Sequence, residues 1–149
     1  MTPGTTTPRT SALRVEITAH IDDITVIRAA LRAWLTARDI VEARREDILL
    51  AIDEAITNSI EHAYRDIAPG PVTLTALVLP DATSVRVSIA DRGQWRTPTS
   101  EPSGTRVPLS GRGLKIIYTI ADRLNIDRGT PTAPGTTTTI EFRAETTRP

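Results

Sequence analysis

The stretch DILLAIDEAITNSIEHAY, Asp47 to Tyr64, decides the fold. Ile48, Ile52, Ala55, Ile56, Ser59 and Ala63 recur at the i, i+4, i+7 spacing of one helix stripe, so the segment reads as a long helix with that side turned to a core. Beside the stripe runs a second line, Glu54, Asn58 and Glu61. At about 100° per residue the three fall within roughly 60° of one another. Thr57, Asn58 and Ser59 are mediocre helix formers in mid-helix, which a merely solvated face does not require. The line reads as the polar wall of a site.

Working upstream, LRVEIT (13–18) alternates strictly, with Leu13, Val15 and Ile17 on one face, as a half-buried strand does. Asp22 or Asp23 can cap a helix over roughly 22–37, whose apolar side is Ile24, Ile27, Leu31, Trp34 and Leu35. A break near Asp39 separates it from the long helix, placed at about 41–65. Downstream, Asp66 to Pro71 is a stop and turn. VTLTALVL (72–79) and SVRVSIAD (84–91) follow as strands of an antiparallel hairpin. Residues 92–112 have little apolar periodicity, and a loop of that length is a functional lid or disordered. GLKIIYTIADRL (113–124) reads as a helix, LNIDRG as a strand, and GTTTTIEF (135–142) as a last strand.

The order β-α-α-β-β-lid-α-β-β does not alternate singly, which argues against a doubly wound parallel sheet. It fits an α/β (α+β) two-layer sandwich: a mixed, mostly antiparallel sheet of about five strands with three helices on one face. Residues 1–11 read as a disordered tail or linker, 12–143 as the domain and 144–149 as a second tail.

The composition narrows function. The chain has 149 residues and zero formal net charge, which gives no support to bulk nucleic-acid binding. Cysteine is absent, excluding disulfides and thiolate metal sites. Lys115 is the only lysine, so chemistry that needs a lysine is confined to it. No apolar run approaches the roughly 18 residues of a membrane span, and the start lacks the apolar core of a signal peptide, so a cytoplasmic domain is expected.

Four constellations carry chemistry. Asp91 shares strand parity with Val85, Val87 and Ile89, which turns its carboxylate to the core side. That is costly unless something bonds to it. A ligand amine would do so, with Gly93 allowing close approach; an ordinary strand-end turn is the other reading. In SGRGLKII, Gly111 and Gly113 straddle a helix N-terminus, where free N–H groups favour an anion, and Arg112 can fork onto phosphate oxygens. Gly135-Thr136 opens the last strand with Thr136 in the parity of Thr138, Ile140 and Phe142, although one residue of slip would turn Thr137 inward instead. Finally, Asn58 offers a neutral oxygen suited to Mg²⁺, and Glu54, one turn away, can take a proton from a hydroxyl or water.

Together these boxes, E-x-x-x-N, D-x-G, G-x-G-L and G-T in that order, resemble those of the GHKL (Bergerat-fold) ATPase and kinase superfamily. DEAITNSIEHAY, DRGQWRTP, GRGLKII and PGTTTTIEF resemble the bacterial anti-sigma-factor serine-protein kinases over residues 12–143. The resemblance implies a histidine-kinase-like ATPase domain binding ATP and Mg²⁺. Asp91 would take the adenine amine with Thr136 assisting, Gly93 would allow close approach, Asn58 would hold the metal, and Gly111, Arg112, Gly113 and Leu114 would face the phosphates. Glu54 would be the base that activates a hydroxyl on a STAS-domain anti-sigma-factor antagonist. Partner switching would add binding of a sigma factor, with Arg28 and Arg32 on the first helix as candidate contacts, and a homodimer. Trp95 stands where many members of the superfamily have a second glycine. The alternatives are a non-catalytic ATP-binding module, possibly excised from a larger regulator, and the catalytic domain of a histidine kinase. His62, matched by a histidine in many of these kinases, reads as a helix-surface histidine.

Overall fold

The computed structural model describes residues 12–65, 67–80, 84–93, 111–130 and 132–143, except for the side chains of 111–114 and 133. Strand β1 (Leu13–Thr18) leads through a single 3-10 turn into α1 (Ile24–Ala37), and α2 (Glu42–Ala63) follows. The hairpin β2 (Pro71–Val78) and β3 (Ser84–Asp91) precedes α3 (Gly111–Ile120), β4 (Arg123–Thr130) and β5 (Ala133–Arg143). The five strands lie in the order β1-β2-β3-β5-β4. The sheet, expected as mixed and mostly antiparallel, is antiparallel at every pairing.

Period-two patterning sets which face is covered. Val72, Leu74 and Ala76 of β2, Val85, Val87 and Ile89 of β3, and Ile140 and Phe142 of β5 are buried together. They meet Ile27, Leu31, Trp34 and Leu35 from α1 and Ile48, Ile52, Ala55 and Ile56 from α2. Each Val, Leu, Ile and Phe side chain among them contributes about 1.5–3 kcal/mol on leaving water, which is the main force clamping the helices to the sheet. The opposite face carries polar pairs, Arg86 with Glu141 at 3.1 Å and Ser88 with Thr139 at 3.3 Å. Between α1 and α2 the backbone turns at Asp39, whose φ of 60° is the left-handed conformation that Asp tolerates better than most residues.

Two local expectations are corrected. Asp23 occupies the cap position of α1 but makes no side-chain cap bond; the turn is closed instead by Thr25 Oγ1 donating to the Asp22 carbonyl at 3.1 Å. The helix expected to run to Leu124 ends at Ile120. Its last bond is Ala121 N–H to Ile117 C=O, and Asp122 N–H already donates to Glu141 C=O in β5. Leu124 then pairs with Ile140. Ile116, Ile117, Ile120 and Leu124 satisfy the helix period, but Leu124 and Ile126 satisfy the strand period equally, and sheet pairing decides between them.

Arg44 secures that junction from α2. Its guanidinium donates to the carbonyls of Arg143 at 2.7 Å and Ile120 at 3.3 Å and pairs with Asp122 at 3.2 Å. It therefore satisfies a carbonyl at the C-terminus of α3, where cations are favoured, and ties that end to the last strand.

Candidate functional site

The site lies where the C-terminal half of α2 passes the end of β3 and the start of β5. Asp91, the last residue of β3, is 5% exposed, as its parity required. Its Oδ1 accepts the N–H of Gly93 at 3.1 Å and the N–H of Thr136 at 3.2 Å. The first bond closes a turn at the strand end, so the turn reading of the D-x-G box is realised. The second ties β3 to β5. Two backbone donors thus meet the cost of burying the carboxylate, and a carboxylate held in this way is an acceptor of fixed direction.

Thr136, not Thr137, is the inward residue, 3% exposed, and Thr138 beside it is 2% exposed. The β3–β5 register, Ala90 opposite Thr137 and Ile89 opposite Thr138, removes the one-residue ambiguity. Gly135 has φ +137°, a conformation side chains rarely adopt, and a Cβ there would lie 2.5 Å from the Asp91 carbonyl oxygen. Gly93 does allow a close approach, and the approaching group is the end of α2. A Cβ on it would fall 1.9 Å from the carbonyl oxygen of Ala63.

On α2 the three polar residues separate. Asn58 is 2% exposed, and its Nδ2 has no hydrogen-bond partner among the described residues. The neighbouring Ser59 Oγ is equally buried and without one. A buried amide in this condition costs roughly 1–3 kcal/mol, which a ligand can relieve. Glu54, one turn earlier and about 6 Å along the axis, is half-buried. Glu61 is exposed and stands outside the site. Gly111 to Leu114 form the first turn of α3, which packs along α2. Their side chains and the expected lid, with Trp95, lie outside the described residues.

One participant was missed from the sequence. Tyr64, the residue after α2, donates its hydroxyl to the Pro71 carbonyl at 2.6 Å and accepts the N–H of Arg92 at 2.9 Å. Burial pushes its phenol up, the Asp91 charge adds to this, and the Arg92 N–H and charge oppose it. A tyrosine closing a helix just before a Pro-Gly-Pro turn was the available signal. His62 is half-buried, 3.4 Å from an Arg65 nitrogen, and burial and then the Arg65 charge push its pKa down. Arg28 and Arg32 are both paired to α2: Arg28 forks onto Asp53 and Arg32 onto Glu46.

Residues 17–142 match the family described as the histidine kinase-like ATPase domain, a span that contains all four boxes. The chain belongs to that family. Within it, the chain is 28% identical over 128 residues to an anti-sigma F factor of Pasteuria penetrans, covering 80% of this chain and 82% of that protein. It is 44% identical over 94 residues to the serine-protein kinase RsbW of Listeria monocytogenes, covering 56% and 60%. Among solved structures it is similar to the RsbU and RsbW domains of Rv1364c from Mycobacterium tuberculosis, with a TM-score of 0.68, 30% identity and 91% of this chain covered. This ATPase-family chain spans about a third of that solved chain, 33%. No helix among its described residues is long and apolar enough to cross a membrane.

Proposed function

We propose that this chain is an ATP-dependent serine/threonine-protein kinase and anti-sigma factor. In this reading it phosphorylates a STAS-domain anti-sigma-factor antagonist, sequesters a sigma factor in partner switching, and works as a homodimer in the cytoplasm. The observation that carries the reading is the buried Asp91 carboxylate, held by Gly93 and Thr136, beside a helix whose buried Asn58 amide donor has no partner among the described residues. A carboxylate of fixed direction suits the exocyclic amine of adenine. Family membership and the names of the relatives support the rest.

The residues present fit Mg²⁺ and ATP. Among the described residues no three His, Asp or Glu come together to hold a metal by themselves. Mg²⁺ usually takes one or two protein ligands and fills its shell with water and phosphate. Asn58 would be that ligand through Oδ1, its Nδ2 donating to a phosphate oxygen. Bound Mg²⁺ and ATP supply the phosphoryl group and neutralise its charge. The chain's own part is to orient and to move one proton. Asp91 and Thr136 would hold the base, and the first turn of α3, Gly111, Arg112, Gly113 and Leu114, would meet the phosphates, because backbone N–H groups at a helix start favour anions. Glu54 takes the proton of the acceptor hydroxyl at its carboxylate.

The sigma factor is assigned to α1 and the surface beside it. Arg28 and Arg32 reach a partner's carboxylates only by exchanging them for Asp53 and Glu46. The test is transfer of labelled γ-phosphate to a STAS partner. Glu54→Ala abolishes transfer and leaves ATP binding intact; wild-type transfer by that variant overturns the base assignment. Intact ATP binding with no transfer by the wild-type chain would favour a non-catalytic ATP-binding module.

A further inference from the structure

Tyr64 occupies a place that ordinary sheet pairing would fill. The β2–β3 register sets Val72 opposite Asp91, so the next pair is Pro71 opposite Arg92. There the Arg92 N–H and the Pro71 carbonyl do not meet directly. Both bond to the same phenol oxygen, at 2.9 and 2.6 Å. The ring is seated against Gly70, where a Cβ would lie 2.6 Å from Tyr64 Cε1. The hydroxyl is thus inserted into the ladder, one residue past the buried carboxylate.

That residue matters because the Asp91-Arg92-Gly93 turn orients the carboxylate. Gly93 N–H holds Asp91 Oδ1, and the direction of that N–H depends on how the Arg92 peptide is set. Tyr64 sets it. Without the hydroxyl, the Arg92 N–H and the Pro71 carbonyl either draw together into a direct bond of about 2.9 Å or turn to water. Either change rotates the turn and swings Gly93 N–H away from Asp91. Tyr64 also ends the helix that bears Glu54 and Asn58, so one side chain links the catalytic helix to the strand end that reads the base.

We infer that Tyr64 is the specificity-determining positioning residue of the purine site, selecting a 6-amino purine nucleotide by holding the Asp91 turn in register. This rests on the adenine assignment of Asp91 made above. It touches no substrate itself; its effect passes through Asp91.

The experiment compares binding of ATP and inosine triphosphate, which has a 6-oxo group in place of the amine, to the full chain with Mg²⁺ by calorimetry. Wild type, Tyr64→Phe and Asp91→Asn are measured alongside their melting temperatures. The wild-type chain prefers ATP. Tyr64→Phe shrinks that preference by about tenfold, the equivalent of one lost hydrogen bond of about 1.4 kcal/mol, while affinity for inosine triphosphate stays within about twofold. A merely structural tyrosine would weaken both nucleotides equally with a lower melting temperature, and that result overturns the inference. If Asp91→Asn keeps the wild-type preference, the adenine assignment fails and takes the inference with it. If Asp91→Asn loses it and Tyr64→Phe does not, only the inference fails. Should Tyr64→Phe not fold, 3,5-difluorotyrosine at 64 in a Tyr118→Phe chain, titrated at a mildly acidic pH that keeps the phenol protonated, makes the hydroxyl a weaker acceptor for the Arg92 N–H. The same ratio is then read, and an unchanged ratio overturns the inference.

Discussion

Gly93→Ala tests the joint between α2 and β3 on which the site depends. The added Cβ would stand 1.9 Å from the Ala63 carbonyl oxygen, 2.4 Å from its carbon and 2.8 Å from the Ala63 Cβ, whereas real Cβ contacts essentially never fall below 3.0 Å. The two segments must therefore part by at least about 1.1 Å. Neither can yield by a rotamer change, because the first obstacle is backbone. Overpacking commonly costs about 1–3 kcal/mol, and a backbone-to-backbone clash belongs at the upper end. At about 2–4 °C per kcal/mol for a chain of this size, the melting temperature falls by roughly 6–12 °C. The same parting stretches the Tyr64–Arg92 hydrogen bond from 2.9 Å to as much as about 4 Å, which weakens or breaks it. ATP affinity then falls by at least about tenfold. Urea and thermal unfolding read the first effect, and calorimetric titration with ATP and Mg²⁺ reads the second. A variant that melts within about 1 °C of wild type and binds ATP within about twofold refutes the reasoning, since the helix end would then have room that this packing denies it.

Asn58→Leu, close to the native side chain in shape, removes a buried donor that has no partner among the described residues. Stability of the nucleotide-free chain stays level or rises by up to about 1 kcal/mol in urea unfolding, while Mg²⁺-dependent ATP binding is lost; a destabilised variant that still binds would contradict the assignment. His62 provides a pH test. Its folded pKa lies below the ordinary 6.5 because burial, and then Arg65, disfavour the charged ring. The unfolded chain therefore takes up the proton first as pH falls, so stability is intact above about 6.5 and declines below it until the folded ring also protonates. His62→Gln loses that decline, and coincident stability–pH slopes for the two chains would show that the ring is not desolvated.

What the sequence by itself determined was everything governed by the chain's own period. The stripe of Ile48, Ile52, Ala55 and Ile56 is buried as its spacing required, and Asp91 faces the core with Val85, Val87 and Ile89. Helix and strand geometry put side chains on faces whatever lies opposite, so these assignments follow from local residue order. The tertiary structure alone decided which groups stand opposite those faces. It set Thr136 rather than Thr137 inward, because the pairing of β5 with β3 fixes the register. It ended α3 at Ile120, where Asp122 joins the sheet. It paired Arg28 with Asp53, 25 positions away, and laid the carbonyl of Ala63 on Gly93. It also brought Tyr64 to Pro71 and Arg92, the second of these 28 positions away. Periodicity states which way a side chain points and carries no record of its partner. Partnership is settled only when the sheet closes and the apolar faces are pressed together.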